Sequence, residues 1–227
     1  MSFIRKLAGS RGPAPALLTR QIATAAANLT SVDVWAQIRA EALAKEDSAS
    51  FSRHGMNRFL HTEVLRHDTM CSSLAHLIGA KYAANADSVD YVGGPDGSAV
   101  DYVGIISGAL EADPSIIEAT AADLQRFLVV DPASDGLLSV YLFYKGMQTI
   151  ASARIAHHYW TEEGGHGKAI ARLLQSEAAD VFGVDIHVGT ARPEPAFTSQ
   201  PPPPHSGANA FASLCTAGRN ARPRDHR

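Results

Sequence analysis

A chain of 227 residues can hold one ordinary domain with tails, and its 45% hydrophobic and 19% charged residues are typical of a globular protein. The formal net charge of −3 gives no electrostatic basis for binding nucleic acid or an anionic membrane. No apolar run approaches the roughly 18 residues that span a bilayer. The two cysteines, Cys71 and Cys215, form no CxxC motif, so neither a disulfide framework nor a zinc site is indicated. These features favour an intracellular protein.

The N-terminal residues 1–31 differ from the rest of the chain. No acidic residue precedes Asp33, and basic residues are spread among Ser, Thr and Ala. They are Arg5, Lys6, Arg11 and Arg20. This composition is typical of a transit peptide, and an unstructured leader with chance charge explains it equally well. The predicted compartment is therefore the cytoplasm, or the mitochondrion or plastid if the leader is a transit peptide.

From residue 32 to residue 187 the pattern is helical. Ser31 or Asp33 can cap a first helix, and Asp113-Pro114 is a start signal for a later one. Apolar residues recur at helical spacing after both signals and again after Asp68. The predicted apolar faces comprise Trp35, Ile38 and Ala42; Met70, Leu74, Leu77 and Ile78; and Ile116, Ile117, Ala121, Leu124, Phe127 and Leu128. No strand alternation competes, so an all-α fold is predicted.

Two further helices are predicted in the second half. One runs from about residue 139 to 160, with Phe143, Met147 and Ile155 on one stripe and a possible bend at Gly146. A glycine-rich break at residues 164–167 follows. The last helix has apolar residues with a helical period, namely Ile170, Leu173, Leu174, Ala178, Val181 and Phe182.

Two segments are predicted to lack regular structure. Residues 84–104 contain Gly93-Gly94-Pro95 and Asp96-Gly97, which favour a loop inserted between two helices. Residues 188–227 hold most of the 12 prolines among Ser, Gly, Ala and Arg. The run Pro201–Pro204 has the composition of a ligand for an SH3-type groove, but an unstructured tail is favoured.

A search for chemical motifs finds no P-loop, GxGxxG, GxSxG or HExxH. Adjacent His157 and His158 point about 100° apart on a helix, and His61 and His67 are six residues apart. Neither spacing suits a metal site on one helix, so no metal is predicted.

Three segments carry a resemblance to a known family. They are EADPSIIEATAADLQRFLVVDPAS (111–134), YKGMQTIASARIAHHYW (144–160) and KAIARLLQSEAADVFGVDIH (168–187). In order and spacing they resemble the N-terminal helical domain of serine acetyltransferase. VDVWAQIRAEA and FLHTEVLRHDTMCSSLAHLIGAKY resemble its first three helices, so that the likeness covers about residues 33–187.

The resemblance implies transfer of an acetyl group from acetyl-CoA to the hydroxyl of L-serine, the first step of cysteine biosynthesis. It also implies a left-handed β-helix after the helical domain, which trimerises, supplies the CoA surface and carries a general-base His in an L-D-H motif. By the same resemblance, Asp185 would orient that His and Asp131 would hold the substrate ammonium group. From the residues alone, Asp131-Pro132 is also a turn signal and Asp185 could bond the local backbone.

Departures from the family pattern begin after His187. No L-D-H motif or series of hexapeptide repeats follows, and Val188 stands where the family has Pro. We therefore expect a truncated product or gene model that binds no cofactor and is catalytically incomplete by itself. The alternative function is a non-catalytic oligomerisation or regulatory module. It would form a homo-oligomer through the helical domain or associate with full-length serine acetyltransferase subunits, with no nucleic acid or membrane partner.

Overall fold

In this computed structural model the structure describes residues 29–46, 52, 54–88, 99–162 and 165–189. These ranges contain helices and no strand, which confirms the all-α prediction. The helices are α1 (Ser31–Glu46), α2 (Met56–Leu60), a π-helix (His61–Leu65), α3 (Met70–Ser88), α4 (Tyr102–Ala112), α5 (Ser115–Val130), α6 (Leu137–Phe143), α7 (Lys145–Thr161) and α8 (Gly165–Phe182). The predicted leader, apart from its last residues, and the predicted tail beyond residue 189 lie outside the described residues.

The core forms from the apolar faces that the sequence predicts. Trp35, Ile38 and Ala42 of α1 are buried, as are the four predicted residues of α3. The faces of α5 and α8 also point inward, although Phe127, Leu128, Ile170, Leu173 and Val181 are only partly buried. Burial of a large apolar side chain is worth about 1.5–3 kcal/mol, so these faces drive the packing of the helices.

Helix α1 begins with a reciprocal cap. The Asp33 carboxylate accepts from the Thr30 amide at 3.0 Å, and Thr30 Oγ1 accepts from the Asp33 amide at 3.3 Å. Thr30 thus precedes the first turn as the capping residue and Asp33 is its partner. Ser31, the other predicted cap, instead donates its amide to the Glu118 carboxylate of α5 at 3.2 Å. Helices α1 and α5 are therefore joined at the start of α1.

The single helix predicted at residues 139–160 is wrong in one respect. The structure has two helices, α6 and α7, which are separated at Tyr144, whose backbone is extended (φ −83°, ψ 100°). The buried side-chain amide of Gln148 donates to the carbonyls of Tyr141 and Leu142, both at 3.0 Å, and so satisfies the end of α6. Because the chain turns there, Phe143 is exposed instead of lying on a buried stripe.

Two predicted breaks between helices are shorter in the structure. Helix α3 continues through residues 84–88 and α4 begins at Tyr102, so the predicted loop is shorter than 84–104. The Asp101 carboxylate caps α4 by accepting from the Gly104 amide at 2.8 Å. The glycine-rich break is also shorter, because Gly165 and Gly167 already belong to α8.

Buried polar side chains join α7 to α5 and join α8 to both α3 and α4. Arg154 of α7 donates to the Asp123 carboxylate of α5 at 2.6 Å, and both side chains are almost fully buried. Glu177 of α8 accepts from Tyr102 at 2.7 Å and from Asn85 at 2.9 Å. Since burying such groups is costly unless they are paired, these contacts fix how the helices are positioned against each other.

Candidate functional site

Asp131 lies in the turn between α5 and α6, where its own carboxylate and carbonyl organise the chain. Its Oδ1 accepts from the Ala133 amide at 2.9 Å, and its carbonyl accepts from the Ser134 amide at 3.1 Å and hydroxyl at 2.8 Å. This is the local pattern by which an Asp stabilises a turn. The side chain remains partly exposed.

Glu41 of α1 holds the far end of the same turn. Its carboxylate accepts from the Leu138 amide at 2.9 Å and from the Leu137 amide at 3.4 Å, at the start of α6. Gly136 permits this approach, because a Cβ there would lie 2.6 Å from Glu41 Oε2. A carboxylate from a neighbouring helix thus does the work of an N-cap side chain.

Tyr144 faces the negative charge of this turn. Burial raises the pKa of the Tyr144 hydroxyl above its usual value, and the nearby Asp131 carboxylate raises it further. Tyr144 therefore stays a neutral phenol beside Asp131 at physiological pH.

Asp185 follows α8 in a short segment without regular secondary structure. Gly183 ends the helix with a left-handed backbone (φ 78°), and its amide donates to the Ala179 carbonyl at 2.9 Å. The turn at Gly183 directs residues 184–188 back along the helix. Asp185 itself is exposed.

Two side chains bind this segment to the helical domain. Gln175 of α8 donates to Asp185 Oδ1 at 2.6 Å and accepts from the Val188 amide at 3.2 Å. His157 of α7 lies with Nδ1 2.8 Å from the Val188 carbonyl. Since a carbonyl only accepts, Nδ1 of His157 carries the proton. Val188 is 3% exposed, so the segment ends on a buried anchor.

A surface cleft of about 400 Å³ lies beside Asp185. Trp160, which lines the cleft, has two cationic side chains over its ring, with Lys168 Nζ 5.5 Å and the Arg172 guanidinium 5.6 Å from the ring centre. The lining includes Trp160, Arg172, Gln175, Ser176, Asp185 and His187. The cleft is therefore bordered by both a carboxylate and a guanidinium.

The structure does not bring the two predicted aspartates together within this cleft. Asp185 lines it, whereas Asp131 does not. Sequence reasoning missed Gln175, His157 and Glu41, although Gln175 and His157 lie in the segments that carried the family resemblance. Their partners are 10, 31 and 96–97 residues away along the chain, so spacing alone could not reveal the contacts.

Histidines approach each other at the junction of the π-helix and α3. The His67 and His76 rings are 5.4 Å apart, and His76 Nδ1 is 3.1 Å from the Glu63 carboxylate. Within the described ranges, no group of three or more His, Cys, Asp or Glu side chains is arranged to hold a metal ion.

Comparison with known proteins identifies the family of the chain. Residues 34–152 match the family described as "Serine acetyltransferase, N-terminal". The chain belongs to the serine acetyltransferase family. It is 34% identical over 168 residues to a probable serine acetyltransferase 4 of Oryza sativa subsp. japonica, covering 74% of this chain and 48% of that protein. It is 32% identical over 159 residues to the serine acetyltransferase of Haemophilus influenzae, covering 69% of this chain and 52% of that protein.

Solved structures of serine acetyltransferases have the same helical fold. A Neisseria gonorrhoeae serine acetyltransferase in complex with serine gives a TM-score of 0.56 at 31% identity and covers 69% of this chain and 58% of that one. A serine acetyltransferase in complex with CoA gives 0.58 at 30% identity and covers 70% and 60%. The predicted family and its N-terminal helical domain are thereby confirmed.

The likeness is limited in extent. The chain spans about half the length of the curated relatives it matches. One of them, 29% identical over 160 residues and covering 69% of this chain and 36% of that protein, is the mitochondrial serine acetyltransferase 3 of Arabidopsis thaliana. In the described part of this chain, no helix is long and apolar enough to cross a membrane.

Proposed function

We propose that residues 29–189 form the helical part of a serine O-acetyltransferase, which uses acetyl-CoA and L-serine to make O-acetylserine and CoA for cysteine biosynthesis. One observation carries this proposal. Asp185 Oδ1 is held by Gln175, Oδ2 has no hydrogen-bond partner among the described residues, and the exposed Asp185 side chain lines the cleft. A carboxylate with one oxygen fixed and the other open is suited to orient an imidazole.

The chemistry explains why such a carboxylate is needed. A serine hydroxyl is a weak nucleophile at neutral pH, so a base must remove its proton as the oxygen attacks the thioester carbon. The C–S bond then breaks and the CoA sulfur recovers the proton. Asp185 would hold the basic His in the correct tautomer, and that His and most of the CoA surface would come from a β-helix.

Asp131 would take the second role, contacting the ammonium group of L-serine. Its carboxylate is partly exposed and its Oδ1 is oriented by the Ala133 amide. An exposed carboxylate on a well-defined turn favours a cation over an anion. Its contribution would then be to the KM for L-serine.

A chimera tests this proposal. Residues 1–188, which retain Val188 and its backbone N–H, would be joined to the part of the Haemophilus influenzae enzyme that follows the position aligned with Val188. We expect the chimera to form O-acetylserine, because each half supplies what the other requires. The 227-residue chain itself, which contains no L-D-H motif, should show no turnover above background.

Matched substitutions in the chimera separate the two roles. Asp185→Asn should lower kcat about 10²- to 10⁴-fold with little change in KM, as expected when a general base loses its orienting carboxylate. Asp131→Asn should mainly raise KM for L-serine. A folded chimera in which D185N keeps full kcat would contradict the role of Asp185.

A second function, association without catalysis, is favoured by exposed apolar side chains. Val32 and Leu43 of α1 and Phe143 of α6 are exposed, and α1 packs against α6. Exposed apolar side chains on neighbouring helices are typical of a protein interface. We propose that the helical domain assembles with copies of itself or with full-length serine acetyltransferase subunits.

Co-expression with a full-length serine acetyltransferase, followed by sizing of the purified complex, tests this second function. We expect co-elution, and Phe143→Ser with Leu43→Ser should weaken it without unfolding the domain. Separate elution of the two folded proteins would exclude the association.

The compartment follows from residues 1–31. Their basic, acid-poor composition and the mitochondrial relative support import into an organelle. Fusing these residues to a fluorescent reporter decides between the alternatives, since import gives organellar fluorescence and a plain leader gives diffuse cytoplasmic fluorescence.

A further inference from the structure

The side-chain amide of Gln175 contacts both ends of the segment that carries Asp185. Its nitrogen is 2.6 Å from Asp185 Oδ1 and its oxygen is 3.2 Å from the Val188 amide. Gln175 donates in the first bond and accepts in the second, because a carboxylate can only accept a hydrogen bond and a backbone N–H can only donate one. The orientation of the amide is thereby determined by its partners.

We propose that Gln175 is the positioning residue for Asp185, and that its one amide sets both the direction of the carboxylate and the path of residues 185–188. The catalytic use of the oriented carboxylate rests on the proposed function, whereas the positioning of Asp185 by Gln175 does not.

No other common side chain of this length satisfies both contacts. A Glu at position 175 would accept from Val188 but place a second negative charge against Asp185. A Leu would fill similar space and make neither bond. The Gln175–Asp185 bond is charge-assisted, and such bonds are stronger than bonds between neutral groups.

Contacts on either side of Asp185 explain why the side-chain amide of Gln175 is sufficient to position its carboxylate. Gly183 turns the chain at the end of α8, and His157 holds the Val188 carbonyl at 2.8 Å from the opposite helix. Val188 is buried and fixed at both its amide and its carbonyl. With the backbone fixed on either side of Asp185, the Gln175 nitrogen holds Oδ1 of the carboxylate, and Oδ2 keeps no hydrogen-bond partner among the described residues.

Amide hydrogen exchange in the 227-residue chain tests the positioning role. Gln175→Leu removes both bonds, and we expect the Val188 amide to exchange about five- to tenfold faster, in line with the net worth of a hydrogen bond. Gln37→Leu is the matched control, because Gln37 is also a helical glutamine that donates to a carboxylate, that of Glu41 at 3.1 Å. The control should leave Val188 unchanged.

Swapping the acid and the amide between positions 175 and 185 gives a result that a merely structural role of Gln175 would not produce. Gln175→Glu should raise the Val188 exchange rate by placing two carboxylates together. Combining it with Asp185→Asn lets the Asn amide donate to the new carboxylate, and exchange should return to within about twofold of wild type. Failure of the double variant to recover, or a Q175L protein with wild-type exchange at Val188, would overturn the proposal.

The same residue in the chimera separates this inference from the proposed function. If both hold, Gln175→Leu lowers kcat and leaves KM for L-serine unchanged. If the exchange results hold but D185N keeps full kcat, Gln175 positions Asp185 and the catalytic role of Asp185 is wrong. If D185N lowers kcat but Q175L changes neither exchange nor kcat, the proposed function holds and the positioning role is wrong.

Discussion

Asp131 and Asp185 each follow a helix, but the contacts that hold them differ in range along the chain. Asp131 bonds residues two and three positions ahead, at Ala133 and Ser134. Asp185 is held by Gln175, ten residues earlier, on a segment that His157 anchors from another helix. The first arrangement forms wherever the local chain can turn, whereas the second requires α7 and α8 to be packed.

This difference separates two ways of building a site. A local turn is stable to small changes in the packing of distant helices, and only its far end depends on Glu41 of α1. The Asp185 segment turns locally at Gly183 but depends on tertiary contacts at Asp185 and Val188. Substitutions that affect only one of the two aspartate regions therefore test whether the regions are held independently.

The largest effect should come from the buried ion pair between Arg154 of α7 and Asp123 of α5. Arg154→Ala leaves Asp123 without the 2.6 Å partner in the interior, and we expect a loss of about 3–5 kcal/mol in the free energy of unfolding. Both aspartate regions should lose protection in amide exchange, because α5 leads to one and α7 anchors the other. Urea unfolding measures the loss.

A double substitution is the control for that effect. Asp123→Leu combined with Arg154→Met replaces both charges with apolar groups and should be much less destabilising than either single change. Exposed Lys168→Ala should alter stability by less than about 0.5 kcal/mol. Equal losses in the single and double variants would show that the pair itself is not what the helices depend on.

Glu41→Ala should act on the Asp131 region alone. It removes the acceptor for the Leu137 and Leu138 amides, and we expect a loss of about 1–2 kcal/mol, as for removal of an N-cap. Amide exchange should accelerate at residues 136–138 and remain at the wild-type rate at Val188.

The conservative change sharpens this result. Glu41→Gln keeps one acceptor oxygen, so its loss of stability should be smaller than that of E41A. Faster exchange at Val188 in either variant would mean that the two aspartate regions are coupled.

Gly183→Ala should act on the Asp185 region alone. The glycine has a left-handed backbone with open space around its Cα, so the cost is backbone strain, about 1 kcal/mol. The same substitution at Gly146, a helical position that also has open space, should stabilise the protein by about 0.5 kcal/mol. Thermal unfolding of the two variants should shift in opposite directions, and shifts of the same sign would contradict the assignment.

The range of the contacts also explains what the sequence could predict. Helices α1, α3, α5 and α8 follow from apolar periodicity, and the turn at Asp131 follows from Asp-Pro, because each signal is contained in a few neighbouring residues. The break at Tyr144 was missed, since no Pro marks it and Gln148 stabilises it through tertiary contacts. The roles of Glu41, Gln175 and His157 depend on which helices become neighbours, and no local pattern encodes that.

The smallest effect concerns pH and again distinguishes the two regions. Burial lowers the pKa of His67, and the positive charge of Arg66 lowers it further, with a smaller contribution from His76 opposed by Glu63 and the Thr62 carbonyl. The unfolded chain then binds a proton more readily than the folded one, so stability is retained above about pH 6.5 and declines as the pH falls below it. Arg39 of α1 donates to the His67 carbonyl, which connects this group to the helix that carries Glu41.

His67→Gln should therefore reduce the loss of stability between pH 7.5 and 5.5, as measured by urea unfolding at both values. Exposed His166→Gln is the control and should keep the wild-type loss. In wild-type protein, acidification should accelerate exchange at residues 136–138 more than at Val188, since α1 contacts His67 and also holds the Asp131 turn. An equal acceleration at both places would show that acid destabilises the domain as a whole. The Asp131 and Asp185 regions would then not differ in their response to pH.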